Sequence, residues 1–398
     1  MFAASGRLGG LVMLALLCPC HGLVGQEVRQ EPYLPKLAAA MTEFVERGEV
    51  AGVVSLVANR DGIVHCHAVG QADLANQRPM TADTIFWIAS MSKPITAACI
   101  MMLQDEGKLS LDDPITRFLP EMEQLRMKDG TPVTIRLRHL LTHTSGMSEL
   151  PADEAYNSLN LTEAATRYAR LPVLFEPGTK WQYSQTSINT AARIVEVASG
   201  ETFDSFLEKR LSQPLGMKDT TFYLSPIQMQ RLAKSYQRLE DGTLKEVEIR
   251  LLHGKSPTDR QRFPAGNGGL FSTAHDYAKF CRMLLRQGEL DGVRLLSASA
   301  VDTMRSIATA ELAVGFTPGN GWGIGCCVIK QPTEITASLS AGTYGHGGAY
   351  GTQAWIDPEK QRVDILMIQR SNLGNSDGSE LRRRLHQEAS AGLERQSP

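Results

Sequence analysis

Ile88-Ala-Ser-Met-Ser-Lys-Pro-Ile-Thr-Ala-Ala-Cys-Ile-Met-Met-Leu103 begins with polar side chains and continues as a nearly unbroken apolar run. Proline is tolerated in the first turn of a helix, where its missing N–H has no intrahelical partner to lose. The spacing therefore predicts a buried helix over Pro94–Glu106, with Ser90 and Lys93 at its mouth. A hydroxyl at that position lies near the positive end of the helix dipole. Lys93, one turn later, projects along the same face toward Ser90. A lysine on a buried face loses hydration, its pKa falls, and it can take a proton from a neighbouring hydroxyl. The competing reading is a capping serine beside a solvated lysine, since a bare Ser-x-x-Lys pattern recurs about once by chance in a chain this long.

Working outward, 41 Lys and Arg against 43 Asp and Glu give a formal net charge of −2 over 398 residues, with no basic excess to recruit nucleic acid or an anionic membrane. Leu8–Leu17 is an apolar run preceded by a single basic residue, Arg7. Spanning a bilayer takes about twenty apolar residues, so this run fits the core of an export signal. Residues 1–25 are expected to be that signal, and the mature chain to be periplasmic or extracellular without stable membrane insertion. The alternative is an uncleaved anchor. Beyond the signal, Cys66, Cys99, Cys281, Cys326 and Cys327 are odd in number and lack C-x-x-C spacing, which argues against a disulfide framework or a thiolate metal site. His65-Cys66-His67 has no third ligand nearby, and neither metal nor organic cofactor is expected.

Leu34–Arg47 carries helical apolar spacing. Gly52–Ala58 and Ile63–Val69 flank the turn Asn59-Arg-Asp-Gly62, and Gly351–Ile356 and Val363–Ile368 flank Asp357-Pro-Glu-Lys360, giving a predicted hairpin near each end. Glu380–Leu393 reads as a closing helix. Between the hairpins, helices are predicted at Leu137–Leu141, Leu161–Ala169, Ser187–Ser199, Phe203–Leu211 and Asp276–Arg286. Glu240–Phe263 is polar and reads as a long surface excursion. The expected fold class is α+β: an antiparallel sheet formed from N- and C-terminal segments, flanked by helices, with an inserted, mostly helical lobe. The expected boundaries are a sheet lobe over 26–88 and 265–398 and a helical lobe over 89–264.

Two further segments bear on Ser90. Trp181-Gln-Tyr-Ser-Gln185 lies between a turn and a helix, where Tyr183 can reach a neighbouring lobe's serine and a nearby ammonium would stabilise its phenolate. Alone, Tyr183 reads as a packed aromatic. Tyr344-Gly-His-Gly-Gly-Ala-Tyr350 precedes a strand, and paired glycines at a sheet edge mark close approach of a ligand or another backbone. Such an edge can supply an N–H to a developing oxyanion alongside that of Ser90. Its plain reading is a glycine-rich turn.

In this order the three segments resemble the active-site elements of the β-lactamase-related serine hydrolases. That group includes class C β-lactamases, D,D-peptidases, D-aminopeptidases and family VIII carboxylesterases. Supporting stretches are Phe86–Thr96, Leu140-Leu-Thr-His-Thr-Ser-Gly146, Pro214-Leu-Gly-Met217 and Gly266-Asn-Gly-Gly-Leu-Phe-Ser-Thr273. The resemblance covers nearly all of the chain beyond the signal. It implies Ser90 as the acylated nucleophile, Lys93 as its activating partner and Tyr183 as general base that then protonates the leaving group. It also implies Ser90 and Ala349 N–H groups as oxyanion hole, with Gln185, His346, Gly347 and Gly348 contacting substrate.

The sequence departs from the family pattern twice. Tyr183-Ser-Gln185 replaces Tyr-x-Asn, lengthening an amide arm. His346 stands where class C β-lactamases and most D,D-peptidases have a lysine that faces the substrate carboxylate. An unperturbed imidazole, with a pKa of about 6.5, is mostly neutral at pH 7. This favours an ester or another uncharged acyl donor over a carboxylate-anchored one. The expected activity is hydrolysis of small to medium carboxylic esters. The alternatives are a β-lactamase, D,D-peptidase or D-aminopeptidase acting on cell-wall-type peptides, and a non-catalytic binder of peptidoglycan-like ligands. His143, within Thr-His-Thr-Ser-Gly, has no Gly-x-Ser-x-Gly elbow to serve and is assigned to loop structure. Gly266-Asn-Gly-Gly269 lacks phosphate-loop spacing, and Thr273 with Asp276 reads as a helix cap.

Overall fold

The computed structural model describes residues 34–394 except 152, 153, 155, 316 and 375, together with Met1. The expected export signal at residues 1–25 lies, Met1 aside, outside the described residues. Eight strands are labelled here: β1 (Gly52–Asn59), β2 (Ile63–Asp73), β3 (Arg78–Pro79), β4 (Asn320–Trp322), β5 (Cys327–Ile329), β6 (Tyr344–Gly347), β7 (Gln353–Asp357) and β8 (Arg362–Met367). They form one antiparallel sheet in the order β4-β5-β6-β7-β8-β1-β2-β3. Both predicted hairpins are present, and they join directly: β8 pairs with β1 from Val54↔Met367 to Asn59↔Arg362. Chain segments some three hundred positions apart are thus neighbours at the centre of the sheet.

β1 reads Gly-Val-Val-Ser-Leu-Val-Ala-Asn because it is covered on both faces, and such strands carry near-continuous apolar runs. Val53 and Val57 face the helices α1 (Pro35–Glu46) and α5 (Glu380–Glu394), packing with Leu37, Met41, Phe44, Leu381 and Leu385. Val54 and Leu56 face the larger core, which holds helices α2 (Ser92–Asp105) and α4 (Ala274–Leu285). Thr273 caps α4 by accepting the Asp276 N–H at 3.1 Å. His65, on β2, accepts the Leu34 N–H at 2.9 Å, and its other ring nitrogen lies 3.1 Å from the Ser55 hydroxyl. Both imidazole nitrogens are therefore committed to protein partners.

α2 is buried from Ser92 through Leu103, an apolar surface all round that only a central helix can hide. It begins two residues earlier than the apolar run suggests, and a single 3-10 turn, Ala89–Met91, precedes it. The predicted helix Phe203–Leu211 is α-helical only to Leu207 and continues as a π turn over Glu208–Ser212. Pro214 offers no N–H to the Arg210 carbonyl, and its ring would crowd that oxygen, so the last turn widens.

Glu240–Phe263 corrects the sequence reading. It is not a plain surface excursion: its first part pairs Ser235–Arg238 with Leu244–Val247, and Ile249, Leu251, Leu252 and Phe263 are buried. Its polar residues cover one side while these four fill an apolar cluster with Trp87, Leu224 and Tyr350, or the main core.

Candidate active site

Ser90 occupies the 3-10 turn that links the short strand Phe86–Trp87 to α2. Ala89 is held at φ 46°, a left-handed conformation costly for a residue with a Cβ, and this turns Ser90 outward at the helix mouth. The turn is pinned on both sides. The Ile88 N–H donates to the Leu270 carbonyl at 3.1 Å, and the Thr352 hydroxyl donates to the Ile88 carbonyl at 3.3 Å. Gly348 must be glycine here, because a Cβ would stand 2.7 Å from the Ile88 carbonyl oxygen and 2.0 Å from Thr352 Oγ1. The sheet edge therefore reaches the backbone that presents Ser90.

Lys93 is fully buried, and its Nζ donates to Ser90 Oγ at 3.0 Å, Gln185 Oε1 at 3.0 Å and the Asn267 carbonyl at 2.6 Å. Burial lowers its pKa to about 7, against a weaker opposing pull from the Glu149 carboxylate. The amine lies 4.7 Å from the centre of the Tyr183 ring. Burial pushes the Tyr183 phenol well above its ordinary pKa, while a hydrogen bond with Ser90 works the other way. Tyr183 is thus a phenol at rest. It packs on His143, ring centres 4.4 Å apart, and Trp322 borders both rings. His143 Nδ1 accepts the Ser184 N–H at 3.1 Å, so His143 braces the loop from beneath rather than approaching Ser90 as a base.

Gln185 opens the helix α3 (Gln185–Ser199), capped by Ser184, whose hydroxyl accepts the Ser187 N–H at 3.0 Å. The Gln185 carbonyl oxygen is shared between Lys93 and Asn267 Nδ2, the latter at 2.9 Å. The longer amide arm therefore reaches the lysine. His346, on β6, has Nδ1 2.7 Å from the Gly347 carbonyl and Nε2 3.3 Å from the Tyr183 hydroxyl. A carbonyl can only accept, so Nδ1 carries the proton and Nε2 accepts from Tyr183. Burial, reinforced by the Lys93 charge, lowers the His346 pKa to about 3, and the imidazole is neutral throughout the physiological range.

Two cavities meet at Ser90, sharing Gln185, Arg250 and Ala349. One, of about 450 Å³, runs along Tyr183, His346, Gly347, Gly348 and Asp377. The other, of about 370 Å³, is lined by Trp87, Leu150, Tyr156, Leu251 and His253 with the Glu149 carboxylate. The structure brings together Ser90, Lys93, Tyr183, Gln185, His346, Gly347, Gly348 and Ala349. It adds residues that sequence reasoning missed. Asn267 fixes Lys93 through its backbone carbonyl, and Glu149 accepts the Gln185 N–H at 2.7 Å at the start of α3. Arg250, Leu251 and His253 come from the segment read as an excursion. Asn267 has a usable signal, since it lies in the Gly266–Thr273 stretch that supports the family resemblance, but that stretch assigns it no role. Glu149 and Arg250 carried none.

Fold and arrangement together define a class: a serine hydrolase whose active-site helix is set against an antiparallel sheet. The chain belongs to the β-lactamase family, whose model, described as "Beta-lactamase", matches residues 37–389, and the resemblance read from the motifs holds. It is 31% identical over 367 residues to Esterase EstB of Burkholderia gladioli, covering 84% of this chain and 89% of that one. It is 28% identical over 309 residues to the D-alanyl-D-alanine-carboxypeptidase/endopeptidase AmpH of Escherichia coli K12, covering 75% and 74%. Among solved structures it is similar to EstCE1, described as a hydrolase with promiscuous acyltransferase activity, at TM-score 0.77 and 25% identity over 90% of this chain and 98% of that one. Among the described residues no helix is long and apolar enough to cross a membrane.

Proposed function

We propose that the chain is an esterase that hydrolyses small to medium carboxylic esters through an acyl-enzyme on Ser90. The Lys93 amine, half-deprotonated near pH 7, takes the Ser90 hydroxyl proton as Oγ attacks the ester carbonyl. The oxyanion forms against the N–H groups of Ser90 and Ala349. Tyr183 then gives its phenolic proton to the departing alkoxide, and the adjacent Lys93 ammonium stabilises the phenolate left behind. In deacylation that phenolate takes a proton from the attacking water, and Lys93 returns the first proton to Ser90. Gln185, His346, Gly347 and Gly348 line the path of the substrate.

The observation that carries the ester reading is the neutral state of His346. A carboxylate-bearing substrate finds no cation on β6, and an uncharged acyl donor has no need of one. The similarity to Esterase EstB supports the same reading. The test is the ratio of Ser90-dependent kcat/KM for a p-nitrophenyl acyl ester to that for a chromogenic cephalosporin, in wild type and His346→Lys. Wild type is expected to favour the ester strongly, and His346→Lys to shift the ratio roughly tenfold toward the carboxylate-bearing cephalosporin, the scale of one added charge at a partly solvated site. An unmoved ratio would place selectivity elsewhere, and a wild type that favours the cephalosporin would make this a β-lactamase.

The reading includes an export signal at residues 1–25 and a division into a sheet lobe (26–88 and 265–398) and a helical lobe (89–264), with Ser90 at their junction. N-terminal sequencing of the protein recovered outside the cytoplasm is expected to start near residue 26. A start at Met1 would make the segment an anchor.

A further inference from the structure

We propose that Asp377 sets the charge selectivity of the larger cavity, disfavouring acyl donors with a carboxylate beside β6 and favouring those that present an ammonium or another N–H donor there. The inference rests on the esterase reading and narrows it to a substrate class. Asp377 lines that cavity with Ser90, Tyr183 and His346. Its carboxylate lies directly against the strand, because a Cβ added to Gly347 would stand 2.1 Å from Asp377 Oδ1. Any acyl group running from Ser90 along β6 therefore passes a negative charge, with a neutral imidazole at His346 as its neighbour.

The carboxylate is held by a relay of side chains. Gln353 Nε2 donates to Asp377 Oδ1 at 3.2 Å, and Trp355 Nε1 fixes the Gln353 carbonyl at 2.8 Å. Arg382 donates to the Asp377 backbone carbonyl at 2.7 Å and stacks 3.8 Å over the Trp355 ring. Behind it, the Arg382 Nε lies 3.3 Å from His386, which in turn lies 2.7 Å from the Asp364 carboxylate. Gln353, Trp355, Asp364, Arg382 and His386 are all buried. Arg382 is therefore placed behind the loop, and a substrate meets the carboxylate first. Among the described residues that line this cavity, the other charged side chain is Arg250, which is exposed and shared with the second cavity.

The test compares three p-nitrophenyl esters with acyl tails of similar length: butyrate, hydrogen succinate and β-alaninate. In wild type, kcat/KM is expected to fall in the order ammonium, neutral, carboxylate. In Asp377→Asn, which retains an acceptor for Gln353, the carboxylate-to-ammonium ratio is expected to rise about tenfold, and ratios within one protein cancel any uniform loss of activity. Wild type supplies a second reading without any variant, because raising the salt concentration should raise the same ratio as the carboxylate is screened. A ratio that stays within about twofold under both changes would overturn the proposal while leaving the esterase reading intact. An absence of Ser90-dependent turnover of all three esters would overturn both.

Discussion

Ser90→Ala is expected to lower kcat/KM for a p-nitrophenyl ester by about 10⁴-fold or more and to abolish covalent labelling by a fluorophosphonate. The effect is large because, among the described residues, the site has no second nucleophile in position. Lys93 has its amine engaged by Ser90, Gln185 and Asn267. Tyr183 is a buried phenol whose proton is directed at His346. Removing Oγ therefore removes the covalent route rather than diverting it. Labelling separates this outcome from general damage: a folded Ser90→Ala protein that still takes up the probe would place the nucleophile elsewhere.

The second large effect belongs to Lys93. A base must be deprotonated to act, and burial lowers this pKa to about 7, so kcat/KM is expected to rise with pH through about 7 and to level off above it. Lys93→Met should cost roughly 10³-fold and erase that limb. Stability carries the same signature with a definite sign. The lysine titrates near its ordinary 10.5 in the unfolded chain and near 7 in the folded one. Between those values the unfolded state binds the extra proton, so wild-type stability rises with pH across that window, and the Lys93→Met protein lacks this contribution. Urea unfolding of both proteins at pH 7 and pH 10 measures it. Parallel pH dependences would mean that Lys93 is protonated in the fold and cannot be the base.

The motifs exposed the candidate site residues because each lies within a few residues of a local signal. Ser90 and Lys93 share one turn at a helix mouth, Tyr183 and Gln185 flank a helix cap, and His346 to Ala349 end a strand. Both hairpins and the closing helix were equally legible, since alternation and turn residues are local properties. The surroundings of Ser90 were not. Asp377, Arg250 and Glu149 reach the cavities through pairing of distant segments, and nothing in Ser-Asp-Gly or Ile-Arg-Leu-Leu marks a cavity wall. Polarity hid the role of Glu240–Phe263, whose charged positions outnumber the four buried apolar side chains that anchor it. The protonation of His346 also needed coordinates. The motif allowed a switchable imidazole, whereas burial and the Gly347 carbonyl fix one neutral tautomer.

β8 lies between β7 and β1, which gives the order of synthesis a chemical meaning. A nascent chain that has emerged through the helical segment already contains Ser90, Lys93 and Tyr183. It lacks the N–H of Ala349, the close contact of Gly348 on Ile88, and the strand that ties β1 to β6 and β7. Contacts of such long sequence separation form late, after the loop-closure entropy between the two ends has been overcome. A product cut short before β8 keeps Ser90, Lys93, Tyr183 and Ala349 but lacks the strand that ties β1 to β7, and it is expected to show no measurable ester hydrolysis.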